Sequence, residues 1–232
     1  MLGWQDMPNG GELYKSTVVS LPLLGIGEIS DGEANYARFG RANAEGRAQY
    51  YAELKEMVLQ LYNCPCIAMW VPFNEGWGQF DAAKACDVIL SLDDTRTIDH
   101  ASGWHDRGVG DINSFHIYFT PFVFPKFSKN DRRVTALTEF GGYSMSIDGH
   151  RFNTEKTFGY KIFKDKDKLS AALRHLYLDR IKPLIHSKGL SALVYTEVSD
   201  VEDETNGLLT FDREIVKVDI DFMREINEQI KL

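Results

Sequence analysis

Apolar and polar positions alternate along this chain with two periods. Over 46–61, Tyr50, Tyr51, Leu54, Met57, Val58 and Leu61 recur at the i, i+3, i+4, i+7 spacing of one buried helix face, and Asn63-Cys64-Pro65 stops the helix. Residues 66–73 (CIAMWVPF) follow as a near-continuous apolar run, the pattern of a strand buried on both faces of a parallel sheet. The alternation continues with a helix over 80–92 and strands over 96–99, 112–118 and 133–138. Residues 168–187 carry Leu169, Ala172, Leu173, Leu176, Tyr177, Leu184 and Ile185 on one helical face and end before Gly189. A strand over 190–196 and a helix over 219–232 complete the chain. At the other end, Leu2-Gly3-Trp4-Gln5-Asp6 reads as the tail of a strand, followed by a long Gly/Pro-marked loop to about Asn43.

Strands alternating with helices predict an α/β fold of parallel βα units, as an open doubly wound sheet or a closed βα barrel. A closed barrel needs eight strands, and the pattern yields six. The chain is therefore expected to begin partway through its fold. No repeat, low-complexity tract or Ser/Gly linker interrupts it, so residues 1–232 are expected to form one domain.

Charge narrows the partners. With 26 basic and 34 acidic residues the formal net charge is −8, and no block of Lys and Arg reverses it locally, which disfavours nucleic acid and anionic lipid. No stretch approaches the ~18–20 apolar residues of a membrane span, and no basic-then-apolar leader opens the chain. Cys64, Cys66 and Cys86 are an odd number without zinc-site spacing and are expected to be buried thiols.

Glu75 after CIAMWVPFN and Glu139 after RVTALT each fall just past the expected end of a strand, the edge on which parallel βα folds build active sites. Two convergent carboxylates suit glycosidic bond cleavage, one as proton donor and the other as nucleophile. Taken alone, the same placement also fits two rim carboxylates satisfied by Lys or Arg.

Three segments bear on that choice: MWVPFNEGWGQFD around Asn74-Glu75, ALTEFGGYS around Glu139, and YTEVSDVEDETNG over 195–207. They resemble the catalytic domain of glycoside hydrolase family 2, which includes β-galactosidases, β-glucuronidases and β-mannosidases. The resemblance runs from Trp4-Gln5-Asp6-Met7-Pro8-Asn9 to about Lys217. It implies a (β/α)8 TIM barrel of which strands three to eight are here, without strands one and two or the β-sandwich domains that precede them in the family. It also implies a retaining β-glycosidase acting on an oligosaccharide or glycoside, with Glu75 as acid/base and Glu139 as nucleophile. Asn74 would bind the sugar 2-hydroxyl, Tyr118 would donate to the nucleophile, and Asp6 joins the substrate-binding candidates.

Other residues suit the same site. His116, two residues before Tyr118, shares its face, although a packed core histidine is the plain alternative. Trp77 and Trp104 could stack on a sugar or simply pack their loops, and Tyr195 stands where the family often has tryptophan. Glu197 occupies a position where glutamine is expected, and a third rim carboxylate would raise its neighbours' pKa values. No cofactor is called for; a divalent cation near the rim, found in some relatives, is not marked by these residues. Absent strands would leave unpaired edges through which copies could self-associate, and the fragment should be marginal. The alternatives are a truncated, inactive barrel with weak carbohydrate binding, or an open-sheet α/β binding protein with its two glutamates far apart. Neither the sugar nor the compartment is specified.

Overall fold

The computed structural model describes residues 2–119, 121–126 and 130–230. They form two compact units, one of residues 1–116 with 125–136 and the other of residues 117–124 with 137–232.

In the first unit, strands β1 (Gly3–Asp6), β2 (Ile67–Val71) and β3 (Thr97–Ile98) form a parallel sheet in that order. Helix α2 (Ala44–Leu61) starts where the Asn43 side chain accepts from Gly46 N at 3.1 Å, a cap that satisfies an otherwise orphaned donor. Its buried positions, Tyr50, Leu54 and Val58, are one helical turn apart. Helix α3 (Ala82–Leu90) takes its cap from a distance: Asp31 Oδ2 accepts from Ala82 N at 3.0 Å. Between the two helices and the sheet lies a core of Tyr50, Leu54, Val58, Trp70, Phe73, Phe80 and Ile89. Trp70 is wholly buried and its indole N–H donates to Asp93 at 2.9 Å, as a buried polar handle requires. Helix α1 (Thr17–Leu23) lies inside the segment expected to be loop.

Strands β4 (Ile112–Ile117), β5 (Val134–Gly141) and β8 (Leu190–Thr196) make a second sheet in the order β4-β5-β8. In the second unit, β6 (Tyr143–Ser144) and β7 (Lys161–Ile162) form a short parallel pair. The helix expected over 168–187 is three pieces: α4 (Lys166–Arg174), a π-helical turn over His175–Ile181, and α5 (Lys182–Lys188), which ends at left-handed Gly189. Pro183 in the first turn of α5 has no N–H to continue the ladder, and the register loosens ahead of it. Helix α6 (Ile220–Gln229) is capped by Asp219; the last two residues expected in it lie outside the described ones.

The architecture is α/β with parallel strand pairing, and all six expected strands are present. The strands of the described residues form three sheets, none of which closes into a barrel. Only Cys86 of the three cysteines is buried; Cys64 is half-buried and Cys66, just ahead of β2, is exposed. No helix among the described residues is long and apolar enough to cross a membrane.

Candidate functional site

In the first unit, the parallel pairing continues past the ends of β2 and β3. Ser102 N donates to Phe73 O at 2.8 Å and Glu75 N to Ser102 O at 2.9 Å, with Asn74 and Ser102 bridged between them. This extension sets Glu75 beside Ser102 at the C-terminal edge of the sheet. Glu75 has a left-handed backbone, φ 50°, which is strained for a residue with a side chain, and Gly76 follows at φ 71°. A Cβ on Gly76 would lie 2.4 Å from the His105 ring, so only glycine fits the turn.

The Glu75 side chain is buried against an imidazole, with His116 Nδ1 2.8 Å from Oε1. The other ring nitrogen lies 3.1 Å from the Ser102 hydroxyl, and Gly103 leaves room for the ring, since a Cβ there would be 2.6 Å from it. Trp104 is buried edge-on to His116 at 6.0 Å. Asn74 is half-buried beside Glu75, whereas Trp77 is 36% exposed and Asp6 sits exposed at the end of β1, in register with Val71. Glu75, His116 and Trp104 thus cluster, while Trp77 and Asp6 stand at the surface.

In the second unit, Glu139 lies within β5 rather than past it, because strand structure continues to Gly141. Its Oε2 accepts from the Tyr118 hydroxyl and, at 3.3 Å, from Thr196 Oγ1. Tyr160 lies flat on Tyr118. Tyr195 packs edge-on to Phe140, accepts from Tyr143 N at 3.2 Å, and covers Gly141, where a Cβ would strike its ring at 2.4 Å. Its hydroxyl is thereby tied to backbone, and burial pushes it well above the usual phenol range.

Glu197 is half-buried, and burial together with the charges of Glu204 and Asp200 pushes its carboxyl up to about 8. Beside it, the wholly buried Lys217 donates to Asp200 at 2.5 Å, to Thr205 O at 2.9 Å and to Met145 O at 3.0 Å. Burial weakens the charged form of both Lys217 and Asp200, and their mutual pairing offsets it. In the same unit, His150, Asp212 and Glu214 bring ligand atoms within 4.8 Å of one another. Asp212 already accepts from His150 at 2.7 Å, from Thr210 Oγ1 at 2.6 Å and from Glu214 N at 3.1 Å, so this cluster ties a surface loop together.

Ser102, Tyr160, Thr196 and Lys217 are absent from the motif-based expectations. The aromatic run Phe158, Tyr160, Phe163 was a usable signal for Tyr160; a lone serine or lysine carries none.

No family model and no curated protein matches the chain. Solved structures do. A β-D-glucuronidase of Dictyoglomus thermophilum aligns over 83% of this chain and 37% of its own, at 14% identity and a TM-score of 0.54. An FMN-binding β-glucuronidase of Faecalibacterium prausnitzii L2-6 aligns over 99% and 35%, at 15% identity and a TM-score of 0.58. A GH2 β-galacturonidase of Eisenbergiella tayi, bound to galacturonate, aligns over 84% and 39%, at 17% identity and a TM-score of 0.52. The chain has a GH2-like α/β fold. It spans little more than a third of the length of these structures. At such identities the likeness concerns the fold alone.

Proposed function

We propose that this chain is catalytic-barrel sequence of a retaining β-glycosidase. Glu75 donates a proton to the glycosidic oxygen as Glu139 attacks the anomeric carbon, forming a covalent glycosyl-enzyme. Glu75, now a base, takes a proton from water as the water oxygen displaces Glu139, and the sugar leaves with its β configuration. The observation that carries this reading is the convergence of the Tyr118 and Thr196 hydroxyls on one oxygen of Glu139, which orients a carboxylate for attack. The contrasting surroundings of Glu75, buried on an imidazole, support the separate role of acid/base. Asn74 beside it serves the sugar 2-hydroxyl, and Trp104 closes the site behind His116. The GH2-like neighbours named for glucuronides and galacturonides favour an acidic sugar.

A panel of nitrophenyl β-glycosides, led by the β-glucuronide and β-galacturonide, tests the reading with the chain and with Glu139→Gln. Hydrolysis that falls by a factor on the order of 10⁴ or more in the variant supports it. No turnover on any member of the panel overturns it in favour of an inactive barrel.

A further inference from the structure

The second unit holds a cavity of about 250 Å³ that none of the proposed catalytic groups lines. Its walls include Phe122 after β4, Tyr143 on β6, Lys161 on β7, and His175, Leu176 and Arg180 of the π-helical turn. Tyr160, immediately before Lys161, stacks on Tyr118. Successive side chains of an extended segment point to opposite faces, so Lys161 turns away from that stack and towards the cavity.

The π turn builds one wall. On an α-helix His175 and Arg180, five residues apart, would point about 140° away from each other. A π turn bonds residues five apart and so sets them on one side, and both line the same cavity. Burial is graded from floor to mouth: Phe122, Tyr143 and Leu176 are buried, whereas Lys161, His175 and Arg180 are exposed. Charge follows the same grading. Lys161 Nζ lies over the rings of Tyr143 and Phe163, at 5.4 and 5.2 Å. Arg180 gives one N–H to Phe122 O at 2.8 Å, which leaves the rest of its fork for a ligand. Among the described residues no carboxylate pairs with either cation. Asp179, which does not line the cavity, engages His175 at 2.8 Å. Two unmatched positive charges therefore stand over an apolar, partly aromatic floor, in a chain whose formal net charge is −8.

We propose that this cavity binds a small phosphate monoester carrying one flat ring. The ring enters between Phe122, Tyr143 and Leu176, where buried apolar faces receive it, and the phosphate stays at the mouth between Lys161 and Arg180. A phosphate monoester carries about −1.5 to −2 charge near pH 7, which two cations neutralise. A carboxylate or a sulfate ester would leave one of them unmatched. Arginine adds paired N–H bonds in a plane, and lysine a compact point charge. The volume falls below the ~300–1,000 Å³ of sites for drug-sized ligands, which limits the body to one ring. The site stands whether or not the chain cleaves glycosides, because it uses neither glutamate.

Isothermal titration of the full chain with phenyl phosphate at about pH 7.5 tests the proposal, beside inorganic phosphate, phenyl sulfate and phenol. Phenyl phosphate should bind the wild type about tenfold more tightly than any of the other three. Lys161→Gln and Arg180→Gln should each weaken it about tenfold, the loss of one charge-assisted contact. Ala172→Leu, which fills the cavity from α4 and leaves both cations in place, should weaken it as much. Lys161→Gln removes no hydrogen bond among the described residues and decides the matter if Arg180→Gln does not fold. No binding at millimolar phenyl phosphate, or equal affinity in the wild type and Lys161→Gln, overturns the proposal. Inorganic phosphate or phenyl sulfate binding as tightly as phenyl phosphate overturns it too.

Discussion

Tyr118 and Tyr160 lie flat against each other, ring centroids 4.1 Å apart and planes 3° from parallel, while the Tyr118 hydroxyl donates to Glu139. Phe158 and Phe119 close on Tyr160 edge-on, at 5.2 and 5.9 Å. The stack restricts rotation of Tyr118 and keeps its hydroxyl on the carboxylate.

Tyr118→Phe, which removes that donor, should lower kcat by about 10²-fold. Tyr160→Ala should lower kcat about two- to tenfold with KM nearly unchanged, given about 0.5–1.5 kcal/mol for an aromatic pair. Tyr160→Phe keeps the ring and should restore the rate. Steady-state kinetics on the best glycoside of the panel reads all three; equal kcat for Tyr160→Ala and wild type would show that the stack does not hold the donor.

The stack depends on a glycine. Gly142 has φ 58°, and a Cβ there would lie 2.5 Å from a Tyr160 ring carbon. Gly142→Ala should destabilise the chain by about 1–3 kcal/mol, through backbone strain and displacement of the ring. Thermal unfolding measures it, and an unchanged Tm contradicts the account.

Periodic and extended features were legible in the sequence. Tyr50, Leu54 and Val58 mark α2 because one buried face repeats each turn, and the apolar run of β2 marks a strand covered on both sides. Helix α1 escaped notice because Pro22 lies inside it and glycines follow it. The π turn also escaped, since side-chain periodicity does not report which carbonyl each N–H reaches. Glu75 and Glu139 were legible because contiguous motifs carry them. Ser102 and Tyr160 were not, because they are placed by contacts with residues distant in sequence, which leave no local pattern.

Glu197 ties stability to pH. Its carboxyl is raised from 4.5 to about 8 in the folded chain, chiefly by burial and then by Glu204 and Asp200. The folded state therefore binds the proton more tightly than the unfolded one, and this contribution to stability is complete below about 4.5 and fades as pH rises through about 8. Glu197→Gln should match the wild type near pH 4 and be the more stable of the two near pH 9. Tm measured across that range checks the sign; a variant that loses stability with alkali as steeply as the wild type contradicts it.

Covalent trapping tests the central assignment most directly. The chain is incubated with the 2-deoxy-2-fluoro β-glycosyl fluoride of the sugar it hydrolyses fastest, then digested and mapped by mass spectrometry. A single added glycosyl group on Glu139, absent in Glu139→Gln, is the predicted result. Hydrolysis that proceeds with the label on another residue would contradict Glu139 as the nucleophile.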